Sequence, residues 1–166
     1  PVKIRREQVL MGAQAVAVRL VGTTTDWFSL VRRPLVAGRR LSPLDEQRRS
    51  AVAVITEPLA RKLFALRPVI GGFVRVGGDS YQVVGVVQSA ETSGGEVQSL
   101  DERNDIYLPL DTLRERQGDV LIKRGAGSVI REKVELHQVL VRMNSEQVVE
   151  KTASSLRSLV NHFHKQ

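Results

Sequence analysis

AVAVITEPLARKLFALRPVIGGFVRVGGDSYQVVGVV, residues 51–87, decides the fold, because it reads in order as strand, helix, glycine loop and β-hairpin. Its opening AVAVI (51–55) is an apolar run of the length expected for a buried strand. Thr56 follows in position to cap a helix, and Pro58 falls in the first turn, where a missing N–H does no harm. Leu59, Ala60, Leu63 and Phe64 recur at helical spacing and form one apolar stripe, while Arg61 and Lys62 are left to solvent. The Arg67-Pro68 step and Gly71-Gly72 stop that helix. Two period-two segments follow, FVRV (73–76) and YQVVGVV (81–87), separated by Gly77-Gly78-Asp79-Ser80. Glycine there supplies the positive φ of a tight turn. No catalytic constellation falls within the stretch, so it describes an interaction domain.

Outward from this block the elements are short. Residues 9–21 read as strand, with Gly12 at a turn between two extended pieces. Asp26 is placed to cap a helical turn carrying Trp27, Phe28 and Leu30, after which Pro34 and Gly38 mark loop. Ser42, with Asp45 and Glu46 soon after, reads as another capped turn. QSAETSGGEVQSLDERN (88–104) is polar, acidic and glycine-bearing, the composition of a long mobile loop. Asp101, Glu102 and Asp105 are expected to be solvated there, since the spacing and closing Glu of a calcium loop are missing. Residues 106–108 read as strand, Asp111 as the cap of a helix through Gln117, and Gly118 as its stop. Residues 120–123 and 133–143 read as strands around a Gly125-Ala126-Gly127 turn. The last helix, 146–163, capped by Asn144 or Ser145, carries Val149, Leu156, Leu159 and Phe163 on one apolar face expected to join the core.

Composition excludes several classes. The 166 residues can bury a sizeable core as one domain or two small lobes. No run reaches the eighteen or more apolar residues of a membrane span, and the chain opens on Pro1 without a signal-peptide core, as a soluble segment of a longer polypeptide would. The absence of cysteine fits an oxidising compartment but does not demand one. A net charge of +7 raises nucleic acid as a partner. Four Phe, two Tyr and one Trp supply few stacking platforms, and they sit among apolar neighbours as core residues do. The arginine pairs Arg5-Arg6, Arg32-Arg33, Arg39-Arg40 and Arg48-Arg49 are therefore read as solvated faces, the last three also as candidate partner contacts, with nucleic acid set aside.

Enzyme readings find no support. Neither G-x-G-x-x-G nor a P-loop string occurs, so no cofactor or nucleotide site is drawn. His162 and His164 point about 200° apart on a helix and make a poor metal pair. His137 stands in an expected strand, and no G-x-S-x-G elbow accompanies a histidine. Catalytic, cofactor and metal residues are all assigned as none.

The order of blocks VGTTTDWF (21–28), PLVAGR (34–39), AVITEPLARKLF (53–64), the GGFVRVGG to YQVVGVV hairpin (71–87), IYLPL (106–110) and VELHQVLVRMNSEQV (134–148) resembles the extracytoplasmic core domain of MacB/FtsX-type ABC transporter permeases. The resemblance covers most of the chain from Val21 onward. Only about 20 residues precede the VGTT block, where the family usually has a first strand and helix, so some opening elements are expected to be missing. The resemblance implies an α+β fold of two lobes, with 51–110 as the small inserted Sabre-like lobe and 1–50 plus 111–166 as the Porter-like lobe. It also implies an extracytoplasmic, periplasmic location. The implied partners are flanking transmembrane helices, an ABC ATPase on the same or a separate chain, a second permease copy, and a periplasmic adaptor or transported substrate. The implied function is transmission of ATP-driven motion, without chemistry in this domain. The alternatives from the residues alone are a stand-alone binding module for an anionic ligand or nucleic acid, and an enzyme with an unrecognised site.

Overall fold

The computed structural model describes residues 1–11, 14–65, 67–89, 104–118, 120–125, 128–133, 136–142 and 149–163. The chain opens on a long hairpin of β1 (Val2–Met11) and β2 (Gln14–Thr23), paired antiparallel from Val2↔Thr23 to Met11↔Gln14. The strand pair thus begins seven residues earlier than the expected 9–21, and the Gly12 turn lies outside the described residues. Then come α1 (Thr25–Leu30), β3 (Leu35–Gly38), α2 (Pro43–Gln47), β4 (Val52–Thr56) and α3 (Glu57–Phe64). The hairpin β5 (Phe73–Val76) and β6 (Asp79–Val87), β7 (Asp105–Pro109) and α4 (Leu110–Gln117) follow. The remaining elements are β8 (Val120–Gly125), β9 (Ser128–Lys133) and α5 (Val149–Phe163).

Seven strands make one sheet in the order β1-β2-β7-β4-β6-β3, with β5 also on β6. Gln82 of β6 is opposite both Val52 and Phe73, and Val87 is opposite both Thr56 and Leu35, so β3 and β5 share the edge of β6 that faces away from β4. The sheet is mixed: β2 with β7 and β4 with β6 are parallel, and the other pairs are antiparallel. Residues 51–110 supply its centre and one edge hairpin, while residues 1–50 supply β1, β2 and β3.

The apolar run in β4 is continuous because the strand is covered on both faces. Ala53 and Ile55 join a core with Leu20, Leu63, Phe64, Val83, Ile106 and Leu113, under α3 and α4. Val54 turns the other way, to Val21, Trp27, Phe28, Val87 and Tyr107 under α1. Alternation in β7 divides Ile106 and Leu108 from Tyr107 in the same manner.

Local chemistry sets the helix ends. Ser42 and Asp45 form a reciprocal capping box on α2, as the sequence indicates. Thr56 is the N-cap of α3, but its hydroxyl bonds elsewhere, accepting from the Asp105 backbone N–H at 3.2 Å. Two other caps differ from expectation: Thr24 precedes α1 with Asp26 in its first turn, and Pro109 precedes α4 with Asp111 exposed one residue in. The expected hairpin is present, but its turn is the two residues Gly77-Gly78, both at positive φ and closed by Val76↔Asp79, because Asp79 and Ser80, read as part of the connection, already belong to β6.

Three further expectations change. PLVAG is not all loop, because β3 pairs with β6 from Leu35 to Gly38 across a bulge. The strand reading of 133–143 gives way to β9 ending at Lys133, and 136–142 touches the sheet through the isolated Val2↔Gln138 bridge. Leu156 and Val149 on α5 are 38% and 44% exposed, so these two positions do not join the core. The expected loop 90–103, including Asp101 and Glu102, the turn at 126–127, the α5 cap, and His164 lie outside the described residues.

Candidate functional site

Asp105 is the centre of the polar structure. It is fully buried at the start of β7, where Arg19 of β2 is its direct neighbour in the parallel pair. Arg19 donates from Nε to Oδ1 at 2.8 Å and from Nη2 to Oδ2 at 2.9 Å, the two-pronged geometry that suits a guanidinium and a carboxylate. Tyr107, two residues on and therefore on the same face, donates its hydroxyl to Oδ2 at 2.7 Å. Both carboxylate oxygens accept hydrogen bonds from within the chain, so the carboxylate joins strands. Burial first, and the adjacent Asp105 charge second, push the Tyr107 phenol well above its usual range.

Arg33 closes the cluster from the α1 side. Its guanidinium carbon stands 5.3 Å from the Trp27 ring centre and 5.4 Å from that of Tyr107, with Nη1 3.9 Å from Asp105 Oδ2. Trp27, Phe28 and Tyr107 pack together with centroid separations of 4.7–5.5 Å. Asn104 extends the network: its side-chain N–H donates to Ala17 O, its carbonyl accepts from Arg19 N, and its Oδ1 accepts from Lys62. The acidic cluster expected in solvent at Asp105 is thus a buried ion pair. The signal was a charged residue at the first position of an apolar strand, and its partner, 86 residues away, could not be read from sequence.

The six arginines singled out from the sequence have different fates. Arg39 reaches Asp45 with both terminal nitrogens, at 2.6 and 3.1 Å, and Arg40 donates to the Arg33 carbonyl. Burial works to raise the Asp45 carboxyl, but hydrogen bonds from Arg39 and from the Ser42 hydroxyl and N–H outweigh it and hold the group at about 2. Arg49 lies 3.8 Å from Glu115 on the surface. Arg32 and Arg48 are exposed. Arg33 alone among the six joins the buried network.

A second constellation fixes the end of α4. Buried Lys3 donates to Gly118 O at 3.0 Å, and Arg5 donates to Gln117 O. Two cations from β1 thus satisfy the last carbonyls of a helix where its dipole is negative. Gln117 in turn donates to Asp79 at the β5–β6 turn at 2.9 Å. First strand, last sheet helix and second hairpin form one linked unit.

A family model, the MacB-like periplasmic core domain, matches residues 2–159. Pyoverdine export ATP-binding/permease protein PvdT of Pseudomonas syringae pv. syringae (strain B728a) is 34% identical over 89 residues, 53% of this chain and 13% of that protein. PvdT of P. syringae pv. tomato (strain ATCC BAA-871 / DC3000) is 35% identical over the same length, again 13% of the relative. The fold is similar to the extracellular domain of the noncanonic ABC-type transporter YknZ from Gram-positive bacteria, with TM-score 0.71 and 16% identity over 99% of this chain and 74% of that one. The periplasmic region of MacB from Actinobacillus actinomycetemcomitans gives TM-score 0.67 and 21% identity, over the whole of this chain and 66% of that one. Among the described residues no helix is long and apolar enough to cross a membrane. With its mixed sheet shared by these domains and its sequence matched over nearly full length, the chain belongs to the MacB-like periplasmic core domain family, the extracytoplasmic part of ABC transporter permeases.

Proposed function

We propose that this domain carries movement from transmembrane helices of its permease to a substrate or partner protein outside the membrane. ATP hydrolysis belongs, in this reading, to a separate cytoplasmic nucleotide-binding domain. The family match over 2–159 carries the proposal, and the export permeases among the relatives support an exporter. The packing is suited to it. A sheet whose central strands are covered on both faces deforms little, so displacement at one edge appears at another. Val2 is tied to 137–138 by three backbone hydrogen bonds of 2.7–3.1 Å, so a pull through β1 also loads the segment that leads to α5.

ATP drives such a shift only through different affinities for two states of the whole transporter. In the full-length protein, cysteine pairs placed between copies of this domain should crosslink to different extents with and without a trapped ATP analogue. The chain contributes no cysteine of its own, so each introduced pair reports alone once any cysteines elsewhere in the full-length protein have been replaced. Identical crosslinking of several well-spaced pairs in both nucleotide states, with ATPase activity intact, rejects transmission in favour of a static binding module.

A further inference from the structure

A cleft of about 600 Å³ opens between the β1–β2 hairpin and the Gly77-Gly78 turn. The two walls are brought together because Val9 of β1 shares a core with Val74 and Val76 of β5, from opposite ends of the sheet order. The walls are also braced. Arg5 and Lys3 hold β1 to the end of α4, and Gln117 holds that end to Asp79 beside the turn.

The charge inside is not balanced. Of the acidic groups at and around the cleft, Glu7 is taken by Arg5 at 2.8 Å, Asp105 by Arg19, and Asp79 by Gln117 and Arg116. Arg6 and Arg75 both line the cleft and are exposed, and their guanidiniums make no ion pair or hydrogen bond among the described residues. Two guanidiniums in one concavity focus positive potential, and their planar donor sets match oxyanions. The turn adds neutral donors. A two-residue hairpin closes through its flanking residues and leaves the Gly77 and Gly78 N–H groups outside the ladder, with open space at Gly78 and the Gln117 side chain beside Gly77. The rest of the lining is polar at Gln8 and Arg19 and apolar at Ala17, Val18 and the 77%-exposed Leu10.

We propose that this cleft binds a small organic anion, with an oxyanion head held by Arg6, Arg75 and the turn amides, and an apolar body against Leu10 and Ala17. This assignment stands independently of motion transmission, because it concerns equilibrium binding to this chain alone.

The probe is 1-anilinonaphthalene-8-sulfonate, titrated into this chain by fluorescence, with neutral N-phenyl-1-naphthylamine as the partner lacking the sulfonate. Saturable single-site binding is expected, weakened about tenfold in Arg6→Gln/Arg75→Gln, largely retained in Arg6→Lys/Arg75→Lys, and weakened by salt. The amide resonances of Gly77, Gly78 and Ala17 should shift with the sulfonate. Both arginines are exposed, so the variants should keep the parent thermal midpoint. Three results overturn the assignment: unchanged affinity in the glutamine variant, equal affinity for the neutral probe, or shifts confined to 136–142 and 149–163. Arginine-dependent binding to phosphatidylglycerol vesicles without any to the sulfonate also overturns it, in favour of a lipid surface.

Discussion

Arg19 grips Asp105 across the β2–β7 junction with two hydrogen bonds of 2.8 and 2.9 Å, and the carboxylate is wholly out of water while the guanidinium is not. That asymmetry fixes what each truncation does. Arg19→Met leaves a buried charge with one phenol donor and a distant Arg33, and should cost about 3–5 kcal/mol. Arg19→Met/Asp105→Leu removes the charge with its partner and should cost clearly less than the sum of the two single changes. Urea titrations of the four proteins measure this. Strict additivity would mean that the pair is not coupled.

Tyr107 and Tyr81 are the only tyrosines, and both are pushed upward. For Tyr81 burial is the main cause and the Asp79 charge the next. A raised folded-state value favours the neutral phenol in the native protein, so this stabilisation is complete below the ordinary value near 10 and is lost as pH rises above it. Absorbance at 295 nm should therefore show no phenolate below about pH 10 while the fold is intact. Ionisation should coincide with loss of near-ultraviolet dichroism. A tyrosine titrating normally ahead of unfolding contradicts the buried placement.

Asp45 gives the acid counterpart. Its carboxyl is held at about 2, so the stability it contributes is present above an ordinary value near 4 and is lost as pH falls through the window between them. Arg39 is half-exposed, and solvent screening limits the contribution to about 1–2 kcal/mol. Arg39→Gln should remove much of it at pH 7 and less at pH 2. The difference between variant and parent in denaturant midpoint, followed from pH 6 to pH 2, should shrink.

What the sequence disclosed follows from the range of the interaction. Strand β4, α3 and the β5–β6 hairpin were legible because period, capping chemistry and turn glycines act within a few residues. Asp105 was misread because its partners Arg19 and Thr56 are brought to it by strand order, and a carboxylate ending a polar stretch looks solvated until a neighbouring strand supplies a guanidinium. Caps failed similarly. Asp26 and Asp111 have the right chemistry, but each falls one residue or more inside its helix. The paired-arginine pattern included one member of the buried network, the partly buried Arg33, without distinguishing it from exposed Arg32, since only the aromatic wall of Trp27 and Tyr107 separates their roles. The cleft arginines Arg6 and Arg75 stand 69 positions apart and share a site only because the sheet brings β1 toward β5.

Gly85 lies opposite Gly38, two residues on from the Val36 bulge of β3, and a Cβ there would stand 2.0 Å from the Arg39 carbonyl oxygen. Backbone cannot yield as a flexible side chain does. Gly85→Ala should push β3 off the sheet and cost about 3 kcal/mol, near the upper range for overpacking. Amide exchange should speed up at Arg39, whose N–H donates to Val84 O at 2.8 Å, more than in the β1–β2 hairpin.

Leu113 and Leu156 are both helical leucines on apolar faces, and the fold gives them opposite weights. Leu113 on α4 is fully buried against the sheet, close enough to Gly22 that a Cβ there would stand 2.6 Å from its Cδ2. Leu156 on α5 is 38% exposed. Leu113→Ala removes enclosed methyl groups and leaves a cavity, so it should cost about 3–5 kcal/mol. Leu156→Ala gives up far less covered surface and should cost below about 1 kcal/mol. Both are read from denaturant midpoints at constant slope. A Leu156→Ala loss as large as that of Leu113→Ala would mean that α5 is a core helix in solution, as its spacing alone suggests, and would require its apolar face to be covered by the sheet or by a second copy of the chain.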